Sequence, residues 1–131
     1  MTVFSNGVDL NLFRRIDFEN LRIDETIDTN KFRVGYVGSL GVIHDLETFV
    51  QAAKSCEDDP EIEFIIVGDG GRNNKLQAIL DKYNPQNLNW VGLKEHSKIP
   101  HYISSFDVAI NPVNDSEAFR SIVTVKFYEY L

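Results

Sequence analysis

The chain has 131 residues, of which 43% are hydrophobic and 25% are charged, and its formal net charge is −7. This length suits one domain with a substantial buried core, and the negative charge argues against broad electrostatic binding to nucleic acid or an acidic membrane surface. Because the sequence lacks both a membrane-length apolar run and a secretion-signal pattern at its start, it predicts a soluble, cytoplasmic protein.

Residues 1–31 are predicted to form an entry segment that leads into a connector. The stretch 20–31 is polar and acidic, which is typical of an exposed loop. We therefore expect this connector to add nothing to the hydrophobic core.

From residue 32 onward the sequence alternates regularly between strands and helices. The predicted strands are 32–37, 63–67, 88–91 and 107–111, and the predicted helices are 45–57, 73–83, 97–106 and 125–131, the last capped by Thr124. The first helix carries apolar residues at i, i+3, i+4 and i+7. This order predicts an α/β fold, namely a Rossmann-like open parallel sheet with helices on both faces. Because the chain stops within the last predicted helix, we expect residues 32–131 to form a domain that is incomplete at its C-terminus.

Glycine-containing loops follow the first two predicted strands. Gly38 and Gly41 follow strand 32–37, and Gly70 follows strand 63–67. Without Cβ atoms, such loops let backbone N–H groups approach an anion near a helix N-terminus. The spacing matches neither the dinucleotide fingerprint nor a Walker pattern, so the loop 38–44 is either a phosphate cradle or simply a tight turn.

The loops after the four strands are predicted to share one rim of the sheet, because parallel strands end at the same edge. Open α/β sheets bind ligands there. The polar side chains predicted on this rim are Ser39, His44, Asp69, Lys94, Arg120, Lys126 and Glu129. They include no nucleophile–base pair, and the single Cys and three His form no metal-ligand cluster. Lys126 and Glu129 form either a surface ion pair or a pair that binds a diphosphate and ribose hydroxyls.

Five short motifs occur in order along the chain. They are SNGVD at 5–9, YVGSLG at 36–41, FIIVGDGG at 64–71, FDVAINP at 106–112 and FRSIVTVKFYEYL at 119–131. Their order and spacing resemble the C-terminal, donor-binding domain of GT-B glycosyltransferases, specifically glycosyltransferase family 4. The last motif is similar to that of a subset which transfers N-acetylated amino sugars in surface-polysaccharide assembly.

This resemblance implies retaining, metal-independent transfer of a sugar from a nucleoside diphosphate to a saccharide or lipid-linked acceptor. It implies no cofactor beyond the donor substrate and no nucleic-acid partner. The acceptor would be held mainly by a preceding N-terminal domain, and any peripheral membrane association would come through that missing part. The isolated domain is expected to be inactive, since half of the cleft would be absent.

The resemblance also implies roles for individual residues. Glu129 would hold the ribose hydroxyls, the backbone at Leu93 and Lys94 would line the base, and Gly70 would keep the second loop low beside the donor. The residues implied at the diphosphate are Gly38, Ser39, Leu40, Gly41, His44, Arg120 and Lys126. The family pattern has Arg where this chain has Ser39 and Lys where it has His44, so Arg120 and Lys126 become the candidate counter-charges. No catalytic residue is assigned.

Two other classes of function remain open at this point. One is a non-catalytic α/β nucleotide-binding or scaffold module, which retains the ligand-binding rim of the sheet but catalyses no reaction. The other is half of a sugar-nucleotide epimerase, for which the rim offers only His44 and Asp69 as candidate groups.

Overall fold

The computed structural model describes residues 7–119 and 124–131. Its centre is a parallel sheet of four strands in the order β3-β2-β1-β4. The strands are β1 (Phe32–Val37), β2 (Ile62–Val67), β3 (Leu88–Trp90) and β4 (Val108–Ala109). The helices are α1 (Leu46–Ser55), α2 (Asn73–Tyr83), α3 (Ile99–Ser105) and α4 (Val125–Glu129), with 3-10 turns at Phe18–Asn20 and His96–Lys98. The predicted Rossmann-like α/β fold is confirmed.

Apolar side chains bury both faces of the sheet. On one face, alternate residues of β1 and β2 pack under α1 and α2, and this cluster includes Val34, Tyr36, Phe64, Ile66, Phe49, Val50 and Leu76. On the other face, Val37, Ile65 and Val67 pack with Tyr102 of α3. Successive residues of β2 point to opposite faces and each packs into one of these two clusters. This explains why β2 is apolar at every position from 64 to 67, as is typical of parallel sheets that are covered on both sides.

The helix boundaries follow from local chemistry. Helix α1 begins after Asp45, whose carboxylate accepts a hydrogen bond from the backbone N–H of Thr48 at 3.2 Å. Helix α2 ends at Tyr83 and is followed by Asn84, which has a positive φ of 42°. Pro100 is accommodated in the first turn of α3, where no intrahelical N–H is required. Within the described ranges, no helix is both long enough and apolar enough to cross a membrane.

The expectation that the connector adds nothing to the core is wrong. Ile27 is only 5% exposed and belongs to the same cluster as Ile65 and Val67, and Ile23 packs against that cluster. The connector is also held to β2, because the backbone N–H of Asp28 donates to the carboxylate of Glu63 at 3.0 Å. Two isolated apolar residues of an acidic segment thus pack on the same sheet face as α3.

Candidate functional site

A cleft lies where the strand order reverses. The chain runs from β1 outward to β2 and β3 and then returns to place β4 on the other side of β1, and such a point at the carboxyl ends of strands is where open α/β sheets bind ligands. The cleft has a volume of about 590 Å³. It is lined by Val37, Gly38, Ser39, Val67, Gly68, Asp69, Leu93, Lys94, His96, Ile99, Val125, Lys126 and Glu129.

Two glycine loops form the floor of this cleft and pack backbone against backbone. A Cβ atom added to Gly68 would overlap the carbonyl oxygen of Gly38, and one added to Gly70 would lie 2.7 Å from the backbone nitrogen of Leu40. The Gly38 N–H donates to the carbonyl of Val67 at 2.8 Å, and the Leu40 N–H donates to that of Asp69 at 3.0 Å. The close approach of the two loops therefore requires glycine at positions 68 and 70.

These hydrogen bonds limit which backbone N–H groups of the loop 38–41 are free to bind an anion. The N–H groups of Gly38 and Leu40 are already used, and the side chain of Leu40 is fully buried. The carbonyl of Ser39 accepts a hydrogen bond from the Tyr36 hydroxyl at 2.7 Å, whereas its N–H donates to no partner among the described residues. The Gly41 N–H has no such partner either, but Gly41 lies in an adjoining cavity, so Ser39 is the cleft-lining residue of this loop whose amide is left for a ligand.

The ammonium group of Lys126 lies above Gly38. A Cβ atom at Gly38 would overlap the Lys126 side chain, so glycine is what allows the lysine to lie there. Its Nζ atom is 3.3 Å from Nε2 of His44 and 5.8 Å from the ring centroid of Tyr36. Burial lowers the pKa of Lys126, and the nearby carboxylate of Glu129 opposes that shift. The salt bridges between described residues do not include Lys126.

His44 lies behind Lys126 rather than in the cleft. The residue is only 7% exposed, and it lines a small adjoining cavity with Gly41. Burial, helped by the charge of Lys126, lowers the pKa of His44 to about 4, although the carbonyl of Pro112 acts in the opposite direction. The imidazole is therefore neutral near pH 7, and its Nε2 atom accepts the hydrogen bond that the ammonium donates.

Helix α4 is held against the end of β1 by a tyrosine. The hydroxyl of Tyr130 accepts a hydrogen bond from the Val37 N–H at 3.0 Å and donates one to the Val37 carbonyl at 3.2 Å. Burial raises the pKa of Tyr130 to about 12, so this hydroxyl keeps the proton that it donates. Thr124 is the N-cap residue of α4, as predicted, but its side chain makes no capping bond and instead accepts one from the Asn111 amide at 2.8 Å.

Leu93 and Lys94, which follow β3 in the chain, line another part of the cleft. Leu93 is 73% exposed at the mouth of the cleft. Lys94 donates to Asp24 of the connector at 3.2 Å. Burial lowers the pKa of Lys94, but this hydrogen bond, the charge of Asp24 and the neighbouring Tyr102 together outweigh burial, so the net shift is upward. The Lys94 ammonium is therefore engaged in holding the connector.

The structure brings together six of the eleven residues predicted at the site. Those lining the cleft are Gly38, Ser39, Leu93, Lys94, Lys126 and Glu129. Leu40 and Gly70 support the floor from below, Gly41 and His44 lie in the adjoining cavity, and Arg120 lies outside the described residues. Sequence reasoning missed Gly68, although it stands directly after a predicted strand, and it missed His96 and Tyr130, for which the sequence carried no signal.

The sequence of the chain matches the family described as glycosyl transferases group 1 over residues 17–123. It is 27% identical over 107 residues to WcaI of Escherichia coli (strain K12), whose name assigns it to colanic acid biosynthesis as a glycosyl transferase, covering 79% of this chain and 26% of that protein. It is 24% identical over 98 residues to TuaH of Bacillus subtilis (strain 168), named for a teichuronic acid biosynthesis glycosyltransferase, covering 75% of this chain and 24% of that protein. The chain thus spans about a quarter of the length of these relatives.

Solved structures show the same fold. Anabaena Alr3699/HepE in complex with UDP and glucose superposes with a TM-score of 0.68 at 20% identity, covering 86% of this chain and 31% of that one. Sucrose-phosphate synthase from Thermosynechococcus elongatus superposes with a TM-score of 0.61 at 21% identity, covering 83% of this chain and 29% of that one. At these identities the likeness concerns the fold, which is that of a fragment of GT-B glycosyltransferases.

Proposed function

Because the chain belongs to the glycosyl transferases group 1 family, we propose that its cleft binds the nucleoside diphosphate sugar used as donor by a glycosyltransferase. The observation that carries this proposal is the pair Lys126 and Glu129, which lie one helical turn apart and both line the cleft at the strand ends. A nucleoside diphosphate combines an anionic diphosphate with a ribose diol. A half-buried ammonium and a nearby carboxylate complement those two groups.

Each part of the nucleoside diphosphate has a proposed partner in this arrangement. Lys126 and the Ser39 amide meet the diphosphate, and Glu129 accepts hydrogen bonds from the ribose hydroxyls. The base lies against the exposed side chain of Leu93 and the backbone of Lys94. Arg120 remains a proposed second counter-charge on the strength of the sequence.

UDP is the first nucleotide to test. Anabaena Alr3699/HepE has been crystallised in complex with UDP and glucose and also with UDP-glucose. The same sheet supports the cleft in this chain, so the diphosphate would lie over the loop 38–41. The choice of base would then depend on the wall formed around Leu93.

We further propose that the reaction retains configuration at the sugar and proceeds without a metal or other cofactor. As the bond to the sugar breaks, negative charge grows on the leaving diphosphate. A positioned ammonium in a partly buried site stabilises that charge more than it would in water. We assign this stabilisation to Lys126, with the Ser39 amide and Arg120 as the other proposed donors. The retaining outcome is what the resemblance of the motifs at 36–41, 64–71 and 119–131 to glycosyltransferase family 4 implies.

The acceptor is proposed to be a saccharide or a lipid-linked saccharide in surface-polysaccharide assembly. The names of the two relatives, which refer to colanic acid and teichuronic acid biosynthesis, support that role. Transfer of an N-acetylated amino sugar is supported by the motif at 119–131. Since the chain spans about a quarter of those relatives, the acceptor would be held by another part of the parent protein, which could also provide peripheral membrane association.

The epimerase alternative loses support from the position of His44. That ring is buried and bonded to Lys126, so it does not face the cleft where a sugar would lie. Of the two candidate groups, only Asp69 lines the cleft.

Replacing Glu129 by alanine should weaken nucleotide binding about tenfold, because the ribose hydroxyls lose a charged acceptor. Calorimetric titration with UDP, GDP and ADP measures the effect. Asp81→Ala is the matched control, since this exposed carboxylate lies on α2, away from the cleft, and accepts a hydrogen bond from the Gln77 side chain. Equal losses in the two variants, or no binding of any of the three nucleotides to the wild-type protein, would contradict the proposal.

A further inference from the structure

We propose that His44 is a positioning residue for Lys126: its imidazole fixes the ammonium group over Gly38, so that the remaining N–H donors face the diphosphate. The inference rests on the proposed function, because it assumes that a diphosphate enters the cleft. It gives His44 a role different from that of a direct ligand contact, since His44 is buried and does not line the cleft.

The backbone around His44 is rigidly held. The N–H of Asp45 donates to the carbonyl of Pro112, and the N–H of Asn114 donates to the carbonyl of Ile43, both at 2.8 Å. His44 itself pairs with Val113 in an antiparallel bridge. The ring lies 5.4 Å from that of Tyr36, measured between centroids. The backbone that carries the imidazole is thus held by the segment 112–114, and the ring is buried beside Tyr36, although its Nδ1 atom has no hydrogen-bond partner among the described residues.

Lysine, in contrast, is flexible and loses rotamer freedom when it binds a ligand. The structure removes much of that freedom beforehand. Gly38 leaves space for the side chain on one side, the Tyr36 ring attracts the ammonium, and Nε2 of His44 accepts one of its hydrogen bonds at 3.3 Å. A cation that is already in place binds an anion more tightly than a mobile one.

A neutral acceptor suits this purpose better than the alternatives. A carboxylate at position 44 would neutralise Lys126 and compete with the diphosphate, whereas a second cation would repel it. A buried imidazole accepts the hydrogen bond and leaves the full positive charge facing the cleft. The lowered pKa of His44 agrees with this neutral form.

The test is a double-mutant cycle read by calorimetry with a nucleoside diphosphate sugar and with the matching nucleoside. UDP-glucose and uridine are used first. If UDP-glucose does not bind, GDP-glucose with guanosine and ADP-glucose with adenosine are used instead. His44→Leu should weaken binding of the sugar nucleotide about tenfold and leave nucleoside binding unchanged. His44→Gln keeps a side-chain acceptor and should retain most of the affinity.

The second half of the cycle repeats His44→Leu in a Lys126→Met background. There it should have no further effect on sugar-nucleotide binding, because the group that His44 positions is gone. A loss of the same size in both backgrounds, or an equal loss of nucleoside binding, would show a merely structural role and overturn the inference. A wild-type protein that binds none of the three sugar nucleotides would overturn the proposed function and this inference with it, whereas wild-type binding that is insensitive to His44→Leu would overturn the inference alone.

Discussion

Replacing Gly68 by alanine should lower the free energy of unfolding by about 3 kcal/mol, which is the largest loss of stability that we expect from a single methyl group in this chain. Gly68 has a positive φ of 142°, and its added Cβ would overlap the backbone oxygen of Gly38. No flexible side chain can move aside, so the two loops must separate. Urea denaturation followed by circular dichroism measures the change.

Gly71→Ala is the control for this prediction. Gly71 lies in the same loop, has no atom within 4 Å of an added Cβ, and does not have a positive φ. Its replacement should change the free energy of unfolding by less than about 0.5 kcal/mol. Similar losses at Gly68 and Gly71 would mean that the loops do not pack backbone to backbone as described.

Replacing Lys126 by methionine should weaken nucleoside diphosphate binding by about 10- to 100-fold. Methionine keeps the length and apolar contacts of the side chain but removes the charge that faces the diphosphate. Burial lowers the pKa of Lys126, which indicates that its charge is held at a cost to the folded state. Methionine removes that cost but also leaves the buried Nε2 atom of His44 without its partner, so we expect a stability close to that of the wild type. Weaker binding then reflects the lost charge rather than unfolding.

Lys82→Met is the matched control for the charge. Lys82 is exposed on α2 and pairs with Glu47 at 3.0 Å. Surface pairs of this kind contribute little to stability, and helix α2 does not line the cleft. Calorimetry and thermal unfolding of the two variants should give weaker binding for Lys126→Met alone, and equal affinities would contradict the assignment.

The regular part of the fold could be predicted because its signals are local. Helix α2 and strand β1 have the predicted bounds, since a glycine loop, an apolar stripe and the polar Asn84 mark where they begin and end. Strand β4 is shorter than predicted, as it pairs with β1 at only two positions, Val108 and Ala109. The apolar pattern at 107–111 predicted a buried strand, but Val108 is 42% exposed and the pattern does not indicate how far the ladder continues.

The site could be predicted only in outline, because its details depend on contacts between distant segments. Nothing near Tyr130 in the sequence indicates that its hydroxyl would bond Val37, and nothing near Ile27 indicates which sheet face it covers. The pairing of His44 with Lys126 joins residues 82 positions apart. Both residues could be predicted at the site from the sequence, but only the fold shows that His44 lies behind Lys126 and outside the cleft.

The most direct measurement is a nuclear magnetic resonance titration of the isotope-labelled chain with UDP-glucose, or with GDP- or ADP-glucose if either binds instead. The amide signals of Ser39, Gly68, Leu93 and Glu129 should shift on binding, because these residues line the cleft at the strand ends. Signals from α2 should stay in place. Shifts confined to the groove of about 820 Å³ between the segment 11–22 and α3, or no shifts with any of the three ligands, would contradict the account.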